Sequence, residues 1–386
     1  MLESDNPKKI PDVEFTFVGE EKSEEERRKE IEELLKKKNE ILDSMGIIVS
    51  SDPKKGENYP RSEVEKNITG KMKAGIIGFA IGDALGVPVE FLSRSILQIT
   101  PVKNMIGYGS HKVPEGTWSD DTSLVIATMD SIRELGDVHF EDIMQRFSEW
   151  LTRAKYTATN ELFDIGVSTR NAIMNFVDGK DAIDCGMKCI KDNGNGSLMR
   201  MLPFVYYLYF NSFNEDEKTL LINYASSLTH AHEISELGCK IYTDYITLLL
   251  DGVDKIKALE LLKNNNYRKY YSKKAVKQYD RILKGNLIEL NIDEIKSTGY
   301  VVDSLEASLW CTVTNNSFED AVITAVNLGE DTDTIGAITG SINGIIYGRD
   351  AIPERWLNKI RKIDYIEELS DQFINAINCQ NKEKKI

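Results

Sequence analysis

Glycines recur at every fourth position near the end of the chain, and this spacing constrains the fold more than any other feature. Gly336, Gly340, Gly344 and Gly348 lie within an apolar segment, and a helix would place them along one side. Glycine inside a helix costs roughly 1 kcal/mol relative to alanine. The stripe therefore indicates a helix pressed against another backbone at the centre of the domain. Residues 72–85 form a second apolar segment rich in small residues, which predicts another close helix–helix contact.

Helical patterns continue through most of the chain, and strand-like alternation is confined to a short patch near its beginning. The patch contains Val13, Phe15 and Phe17. It is followed by an amphipathic helix at about 24–45 and a linker rich in proline and glycine. We therefore expect an all-α fold: one large helical domain at residues 67–380, preceded by an N-terminal extension at residues 1–66.

Two short runs of Ser, Thr and Asp, at residues 116–122 and 329–334, each stand directly before an apolar segment. Such runs are typical of helix starts, where a hydroxyl or carboxylate caps free backbone N–H groups. Helix capping is a sufficient explanation for either run alone. Capping needs only one side-chain oxygen, however, and the carboxylates here come in pairs: Asp120 with Asp121, and Asp331 with Asp333.

The two pairs of aspartates would form a single acidic site if the two helix starts meet in the fold. Carboxylates in a confined site raise one another's pKa and cannot all remain ionised without cations. Carboxylate and hydroxyl oxygens are hard ligands, which favours magnesium, manganese or calcium over zinc or copper. The paired runs thus predict a divalent metal site.

Four motifs are spread over about residues 71–347: Gly82-Asp83-Ala84-Leu85-Gly86, Trp118-Ser119-Asp120-Asp121-Thr122, Gly194-Asn195-Gly196-Ser197-Leu198-Met199-Arg200 and Gly329-Glu330-Asp331-Thr332-Asp333-Thr334. In order and spacing they resemble the signatures of the ADP-ribosylglycohydrolases, the family of the dinitrogenase-reductase-activating glycohydrolase. The resemblance implies an all-helical, single-domain hydrolase that holds two Mg²⁺ (or Mn²⁺) ions and removes ADP-ribose from modified proteins. One departure is Glu330, where the family more often has glycine.

Candidate site residues follow from these motifs and from the resemblance. The candidate metal ligands are Ser119, Asp120, Asp121, Asp331, Asp333 and Thr334. The candidate catalytic acid and base are Glu90 and Asp164. The candidate substrate-binding residues are Gly194, Asn195, Gly196, Ser197, Arg200 and His230. We expect Asp333 to bridge the two ions.

Several of these residues have a plainer interpretation. A glycine-rich turn at residues 194–197 exposes N–H groups that suit a diphosphate, but Gly-Asn-Gly is also an ordinary turn. Arg200 could pair with a phosphate or with an internal carboxylate. Asp164 could be a cap or a salt-bridge partner. His230 resembles a family position near the adenosine end of the ligand, but it could equally be a core or capping histidine.

Composition bounds the remaining possibilities. The 386-residue chain has a formal net charge of −14, so a broad nucleic-acid or anionic-membrane surface is not expected. Five cysteines without a CxxC pair argue against a disulfide framework. We expect no signal peptide, no apolar run long enough to span a bilayer, and a cytoplasmic protein.

The resemblance leaves the acceptor and the partners open. Arginine is the expected site of the ADP-ribose; serine, a nucleic-acid base or a free metabolite are alternatives. Some bacterial members resemble immunity proteins that neutralise ADP-ribosyltransferase toxins through an N-terminal extension. Residues 1–66 could bind such a toxin or pack on their own domain. A non-catalytic descendant that only binds ADP-ribose is a third possibility.

Overall fold

The computed structural model describes residues 63–383 and gives side-chain surroundings for residues 67–378. This part of the chain contains no strand, only two isolated β-bridges, Met187 with His230 and Gly194 with Tyr300. The predicted all-α fold is confirmed. The extended patch, amphipathic helix and linker predicted before residue 63 lie outside the described residues.

Sixteen α-helices occur in the described part of the chain, joined by short 3₁₀ turns. They are α1 Glu63–Gly86, α2 Arg94–Ile99, α3 Asp120–Leu135, α4 Phe140–Arg153, α5 Val167–Val177, α6 Leu202–Phe210, α7 Glu215–Ser227, α8 Glu233–Leu250, α9 Lys255–Leu262, α10 Lys273–Gln278, α11 Asp280–Leu283, α12 Val301–Thr314, α13 Phe318–Val326, α14 Thr332–Tyr347, α15 Glu354–Leu357 and α16 Ile363–Glu383.

Helices α1 and α14 pack backbone to backbone at the centre of the domain. A Cβ atom built on Gly340 would lie 2.0 Å from the carbonyl oxygen of Gly78, and one built on Gly82 would lie 1.9 Å from that of Gly336. Any larger residue would push the helices apart, so the predicted close contact is confirmed. Gly348 is the exception in the stripe, because it ends α14 at a positive φ of 78° and an added Cβ there would meet nothing.

Residues Asn67–Val89, mainly α1, are long and apolar enough to cross a membrane by length and composition. This corrects the expectation that no such run exists. In the structure 94% of the most apolar window is buried inside the domain. The segment is apolar because it is surrounded by other helices: α14, α16 and α3 all pack against it.

Helix packing brings several chain segments to the C-terminal end of α1. Helix α3 packs on α4 and α16, and α14 packs on α12 and α13. Both α3 and α14 contact α1 and begin near its C-terminal end. The loop after α1 therefore lies beside two helix starts, and this end of the domain carries the acidic residues.

Candidate active site

The first turns of α3 and α14 meet, and with them the two acidic runs. The Thr334 hydroxyl donates a hydrogen bond to Asp121 Oδ1 across a distance of 3.4 Å. Carboxylate oxygens of Glu90, Asp331 and Asp333 all lie within 4.8 Å of one another. The structure thus gathers carboxylates from three separate segments into one cluster.

Asp83, near the end of α1, holds the start of α3 in place. Its carboxylate accepts hydrogen bonds from the backbone N–H of Ser119 at 2.9 and 3.1 Å and of Thr122 at 3.1 Å, and from the Thr122 hydroxyl. The Ser119 hydroxyl in turn accepts from the Asp121 N–H and caps α3. Capping therefore describes Ser119 correctly, while Asp120 and Asp121 remain free to face the cluster.

The start of α14 is fixed mainly through the backbone. Gly86 lies so close to it that an added Cβ would stand 2.4 Å from the Asp333 backbone nitrogen. The Thr332 hydroxyl donates to the Gly86 carbonyl oxygen at 2.8 Å. Asp331 is oriented by a side chain from far away, since Asn195 Nδ2 donates to its Oδ2 at 2.8 Å.

A backbone clip joins the loop after Glu90 to the residue before Asp331. The Phe91 N–H donates to the Glu330 carbonyl oxygen at 2.7 Å, and the Glu330 N–H donates to the Leu92 carbonyl oxygen at 2.8 Å. Glu330 adopts a positive φ of 62°, a conformation that favours glycine. Its side chain is exposed, so the extra carboxylate faces solvent.

His111 is a site residue that the sequence did not identify. Its Nε2 contacts Glu90 Oε2 directly. Ligand atoms of Glu90, His111 and Asp164 lie within 4.8 Å of one another. The imidazole ring lies between Phe91 and Phe163, with ring centroids 5.7 and 5.3 Å away. No motif signals this histidine, because its role depends on a loop that folds back onto Glu90.

Burial dominates the electrostatics of the cluster. It raises the pKa of Asp120, Asp121 and Asp333 well above the ordinary value, and the neighbouring carboxylates add to the rise. Burial, then the charges of Asp331 and Asp83, raises the pKa of Glu90 to about 8. Burial and Glu90 raise the pKa of Asp164 to about 7. Among the residues with described side chains, no lysine or arginine forms an ion pair with these acids.

The donor set fits a hard divalent cation. Asp121 Oδ2 and Asp333 Oδ1 are buried and have no hydrogen-bond partner within the described part of the chain. A buried polar atom without a partner is costly. Magnesium or manganese prefers carboxylate and hydroxyl oxygens of this kind, so the cluster could hold such ions.

The glycine-rich turn lies beside this cluster, linked to it through Asn195. The Asn195 side chain donates to Asp331 and to the Ser304 hydroxyl at 2.9 Å, so it faces the protein's own residues. The Ser197 side chain is fully buried against Ser226 and Cys239. What the turn offers to a ligand is therefore its backbone.

Arg200 corrects a prediction. Both alternatives paired it with an anion, either a phosphate or an internal carboxylate. The guanidinium is completely buried and forms no ion pair within the described residues. It donates instead to the Thr229 hydroxyl at 2.7 Å and to the Ser226 carbonyl oxygen at 3.4 Å. Arg200 is thus a core residue, separated from solvent.

His230 is a core histidine that touches the turn. It is 2% exposed. A Cβ built on Gly194 would lie 3.4 Å from its Nε2, and one on Gly196 would lie 2.8 Å from its Cε1. Gly196 is therefore needed for the turn to approach the imidazole, whereas a Cβ at Gly194 would make an ordinary contact with it. His232, two residues on, caps α8 by accepting from the Ile234 N–H.

Comparisons with known proteins agree with this arrangement. A sequence model of the ADP-ribosylglycohydrolase family matches residues 65–383. The chain is 30% identical over 311 residues to ADP-ribosylarginine hydrolase Tri1 of Serratia proteamaculans, covering 78% of each chain. It is 26% identical over 288 residues to ADP-ribosyl-[dinitrogen reductase] glycohydrolase of Rhodospirillum rubrum, covering 74% of this chain and 88% of the relative.

A solved structure, described as an ADP-ribosylglycohydrolase-related protein complex, superposes with a TM-score of 0.68 at 28% identity. The superposition covers 81% of this chain and 99% of the other. The family match includes α3, α14, all but the first two residues of α1, and every carboxylate of the cluster. The protein therefore belongs to the ADP-ribosylglycohydrolase family and is a glycohydrolase enzyme.

Proposed function

We propose that this enzyme releases ADP-ribose from arginine side chains of modified proteins and requires two Mg²⁺ (or Mn²⁺) ions. The observation that carries the proposal is the cluster of buried carboxylates without a balancing lysine or arginine among the described residues. The choice of arginine rests on similarity to two relatives named ADP-ribosylarginine hydrolase, at 30% and 28% identity.

The proposed ligands come from the two helix starts. Ser119, Asp120 and Asp121 of the first run would hold one side of the ion pair. Asp331, Asp333 and Thr334 would hold the other side. When bound, the ions supply positive charge that orients the ribose hydroxyls and favours ionisation of water at neutral pH.

Proton transfer is assigned to Glu90 and Asp164. Hydrolysis forms a bond from a water oxygen to C1″ of the ribose and breaks the bond from C1″ to the guanidino nitrogen. The water loses a proton and the leaving nitrogen gains one. Glu90 and Asp164 have pKa values near neutrality, which suits one as acid and the other as base. His111, in contact with Glu90 Oε2, orients that carboxyl group.

The glycine turn is proposed to bind the diphosphate. The Asn195 N–H donates to the Gly299 carbonyl oxygen at 3.0 Å, so the proposed donors to the diphosphate are the N–H groups of Gly194, Gly196 and Ser197. The Asn195 side chain ties the turn to Asp331. An anion held there would place the ribose toward the carboxylates. Backbone N–H groups are suited to phosphate because they add no counter-charge that would have to be desolvated.

Loss of ADP-ribose release tests the proposal directly. Asp120→Ala and Asp333→Ala should abolish hydrolysis of ADP-ribosylated arginine on a modified protein, and a chelator should abolish it in the unmodified enzyme. Glu330→Gln is the matched control, because its carboxylate belongs to the same motif but faces solvent. Unchanged release by either aspartate variant would end the metal-site proposal. Faster release from serine-linked ADP-ribose would transfer the proposed specificity to serine.

A second function is proposed for the N-terminal extension: neutralising an ADP-ribosyltransferase toxin by direct binding. It is favoured by the position of the family match, which begins only at residue 65, and by the sequence of the extension, in which Phe15 and Phe17 precede a charged amphipathic segment. Deleting residues 1–62 would keep α1 intact. We expect this deletion to lose binding to arginine-specific ADP-ribosyltransferases while hydrolysis persists. Full binding without the extension would exclude this role.

A further inference from the structure

Arg200 is a buried cation whose hydrogen bonds go to neutral groups. Its side chain is fully inaccessible to solvent and lies over the ring of Phe147, 5.3 Å from the centroid. Its Nε and Nη1 have no hydrogen-bond partner in the described part of the chain. The Thr229 hydroxyl, 2.7 Å from Nη2, is the side-chain acceptor that the structure provides for it. A buried charge is costly, so this contact calls for an explanation.

The contact determines which way the Thr229 hydroxyl points. A guanidinium can only donate hydrogen bonds, so the Thr229 oxygen must accept from Arg200. The Thr229 oxygen has a second lone pair, so the direction of its other contact depends on where its single proton can go. Among the described side chains, the hydroxyl has one further neighbour, His230 Nδ1, 2.9 Å away. Because a buried donor without an acceptor is costly, the hydroxyl donates to Nδ1, and Nδ1 acts as the acceptor.

His230 is neutral, so it carries one ring proton. Burial, then the charge of Arg200, lowers the pKa of His230 to about 3. With Nδ1 accepting, the single proton resides on Nε2. The tautomer is therefore set by which atoms of Arg200, Thr229 and His230 can donate and which can accept.

Nε2 faces the glycine turn. It has no hydrogen-bond partner among the residues whose side chains are described, and the positions where Cβ atoms of Gly194 and Gly196 would stand lie 3.4 and 3.5 Å from it. The backbone around His230 is held by two hydrogen bonds: the Met187 N–H donates to the Thr229 carbonyl oxygen, and the Ala231 N–H donates to the Met187 carbonyl oxygen. The ring is held through Nδ1 by the Thr229 hydroxyl. The opposite edge of the imidazole, which carries Nε2, therefore faces the turn.

We propose that Arg200, acting through Thr229, holds His230 in the Nε2–H tautomer so that this N–H donates a hydrogen bond to a ligand oxygen at the glycine turn. Arg200 is then a positioning residue: it contacts no ligand itself. The assignment of the ligand as ADP-ribose rests on the proposed function, whereas the tautomer is a property of the free protein.

The tautomer is measured first, in the full-length enzyme without ligand or metal. Heteronuclear NMR that correlates the His230 ring protons with both ring nitrogens distinguishes a protonated nitrogen from a bare one. We expect the Nε2–H form in the natural enzyme. Thr229→Val, which keeps the shape but removes the hydroxyl, should produce a mixture of tautomers. Thr229→Ser should restore the single form.

Binding of free ADP-ribose is measured next, by calorimetry. Thr229→Val should weaken it by roughly tenfold, the effect of one misplaced hydrogen bond to an anionic ligand, and Thr229→Ser should recover it. Thr219→Val is the matched control, because that buried hydroxyl bonds only the Glu215 carbonyl of its own helix. It should change neither the tautomer nor binding.

Arg200→Lys supplies an independent variant should Thr229→Val fold poorly. A lysine cannot reproduce the geometry of the guanidinium, so we expect mixed tautomers and weaker binding here as well. An Nδ1–H form in the natural enzyme would overturn the proposal, and so would an unchanged tautomer in Thr229→Val. A shifted tautomer with unchanged ADP-ribose binding would refute the role of the Nε2 proton in ligand binding. None of these outcomes depends on whether Asp120→Ala or Asp333→Ala retains hydrolysis.

Discussion

Two buried charged regions of this enzyme have opposite signs and are balanced in different ways. The acidic cluster brings together Asp120, Asp121 and Asp333, and burial and mutual repulsion raise the pKa of each carboxyl. Arg200 is a lone buried cation, and burial lowers its pKa to about 10, so it remains charged at neutral pH. A single charge can be tolerated with neutral dipoles around it, whereas adjacent like charges must take up protons or counter-ions.

The two regions are also held together differently. Around Arg200 the contacts are hydrogen bonds between side chains and to one carbonyl group. The acidic cluster is held largely by backbone: Gly86 against Asp333, and the clip at Glu330. Like charges would separate if flexible side chains alone positioned them. The difference indicates that backbone packing holds the acidic cluster together against its repulsion, at a cost in stability that the proposed cations would offset.

The largest effect is expected from Asp333→Asn. Hydrolysis should fall by roughly a hundredfold or more, because a cation at such a site contributes several kcal/mol to the transition state. The metal-free protein should nevertheless gain about 1 kcal/mol of unfolding free energy, as one of the repelling groups is removed. Activity assays and thermal unfolding in chelator measure the two effects.

Asp130→Asn is the contrasting variant. Asp130 pairs with Arg146, and the Arg146 charge lowers its pKa against the opposing effect of burial. This variant should destabilise the protein by about 1–3 kcal/mol. If Asp333→Asn also lowered the stability of the metal-free protein, the carboxylates of the cluster would not be destabilising the fold by mutual repulsion.

The next effect is the pH dependence of stability without metal. The folded pKa of Glu90 is raised to about 8 from 4.5, and that of Asp164 to about 7 from 3.8. The native state therefore binds more protons than the unfolded state within this range, so stability falls as the pH rises from about 4 to 8. The unfolding temperature should drop by on the order of 5–10 °C.

Millimolar Mg²⁺ should remove most of that slope, since bound cations replace the protons. Arg200 should contribute nothing to the slope, because it stays charged throughout the range. If the stability of the metal-free protein rose between pH 5 and pH 8, the buried carboxyl groups of the cluster would not have the raised pKa values on which the contrast with Arg200 rests. Calorimetric scans at several pH values, with and without Mg²⁺, provide the measurement.

A smaller effect is expected where Gly86 packs against the first turn of α14. Gly86→Ala should destabilise the protein by about 1–3 kcal/mol, because the new Cβ would collide with the first turn of α14. It should also weaken Mg²⁺ binding measured by calorimetry. Gly70→Ala is the control on the same helix: its Cβ would meet nothing, and it should stabilise by about 0.5–1 kcal/mol. Equal changes in stability and in Mg²⁺ binding from both substitutions would show that the contact between Gly86 and the first turn of α14 does not support the cluster.

The smallest effect is expected at the clip. Glu330→Gly relieves the positive φ of Glu330 and should add up to about 1 kcal/mol of stability. Hydrolysis should be unchanged, since the carboxylate faces solvent. Gly329→Ala should do the opposite, because Gly329 also has a positive φ and its Cβ would stand 2.5 Å from the Arg94 backbone nitrogen. Loss of hydrolysis in Glu330→Gly would place that carboxylate in the site.

Much of the fold could be predicted because its signals are local. The small residues of α1 and the glycine spacing of α14 predicted that each helix presses against another backbone, and the structure showed that the two helices press against each other. Paired acids before apolar runs predicted the two helix starts. Motif order identified the family. The prediction failed at Arg200, and it missed His111, because neither residue carries a local signal that says which neighbour it will meet.

The sequence by itself determined the helices, their starts and the chemical type of the acidic residues, because capping, periodicity and glycine spacing act over a few positions. Only the tertiary structure decided what those residues face. Asn195 reaches Asp331 across 136 positions, Arg200 reaches Thr229 across 29, and His111 reaches Glu90 across 21. Such pairings depend on how whole helices pack, and packing responds to the shape of the entire core rather than to any one segment.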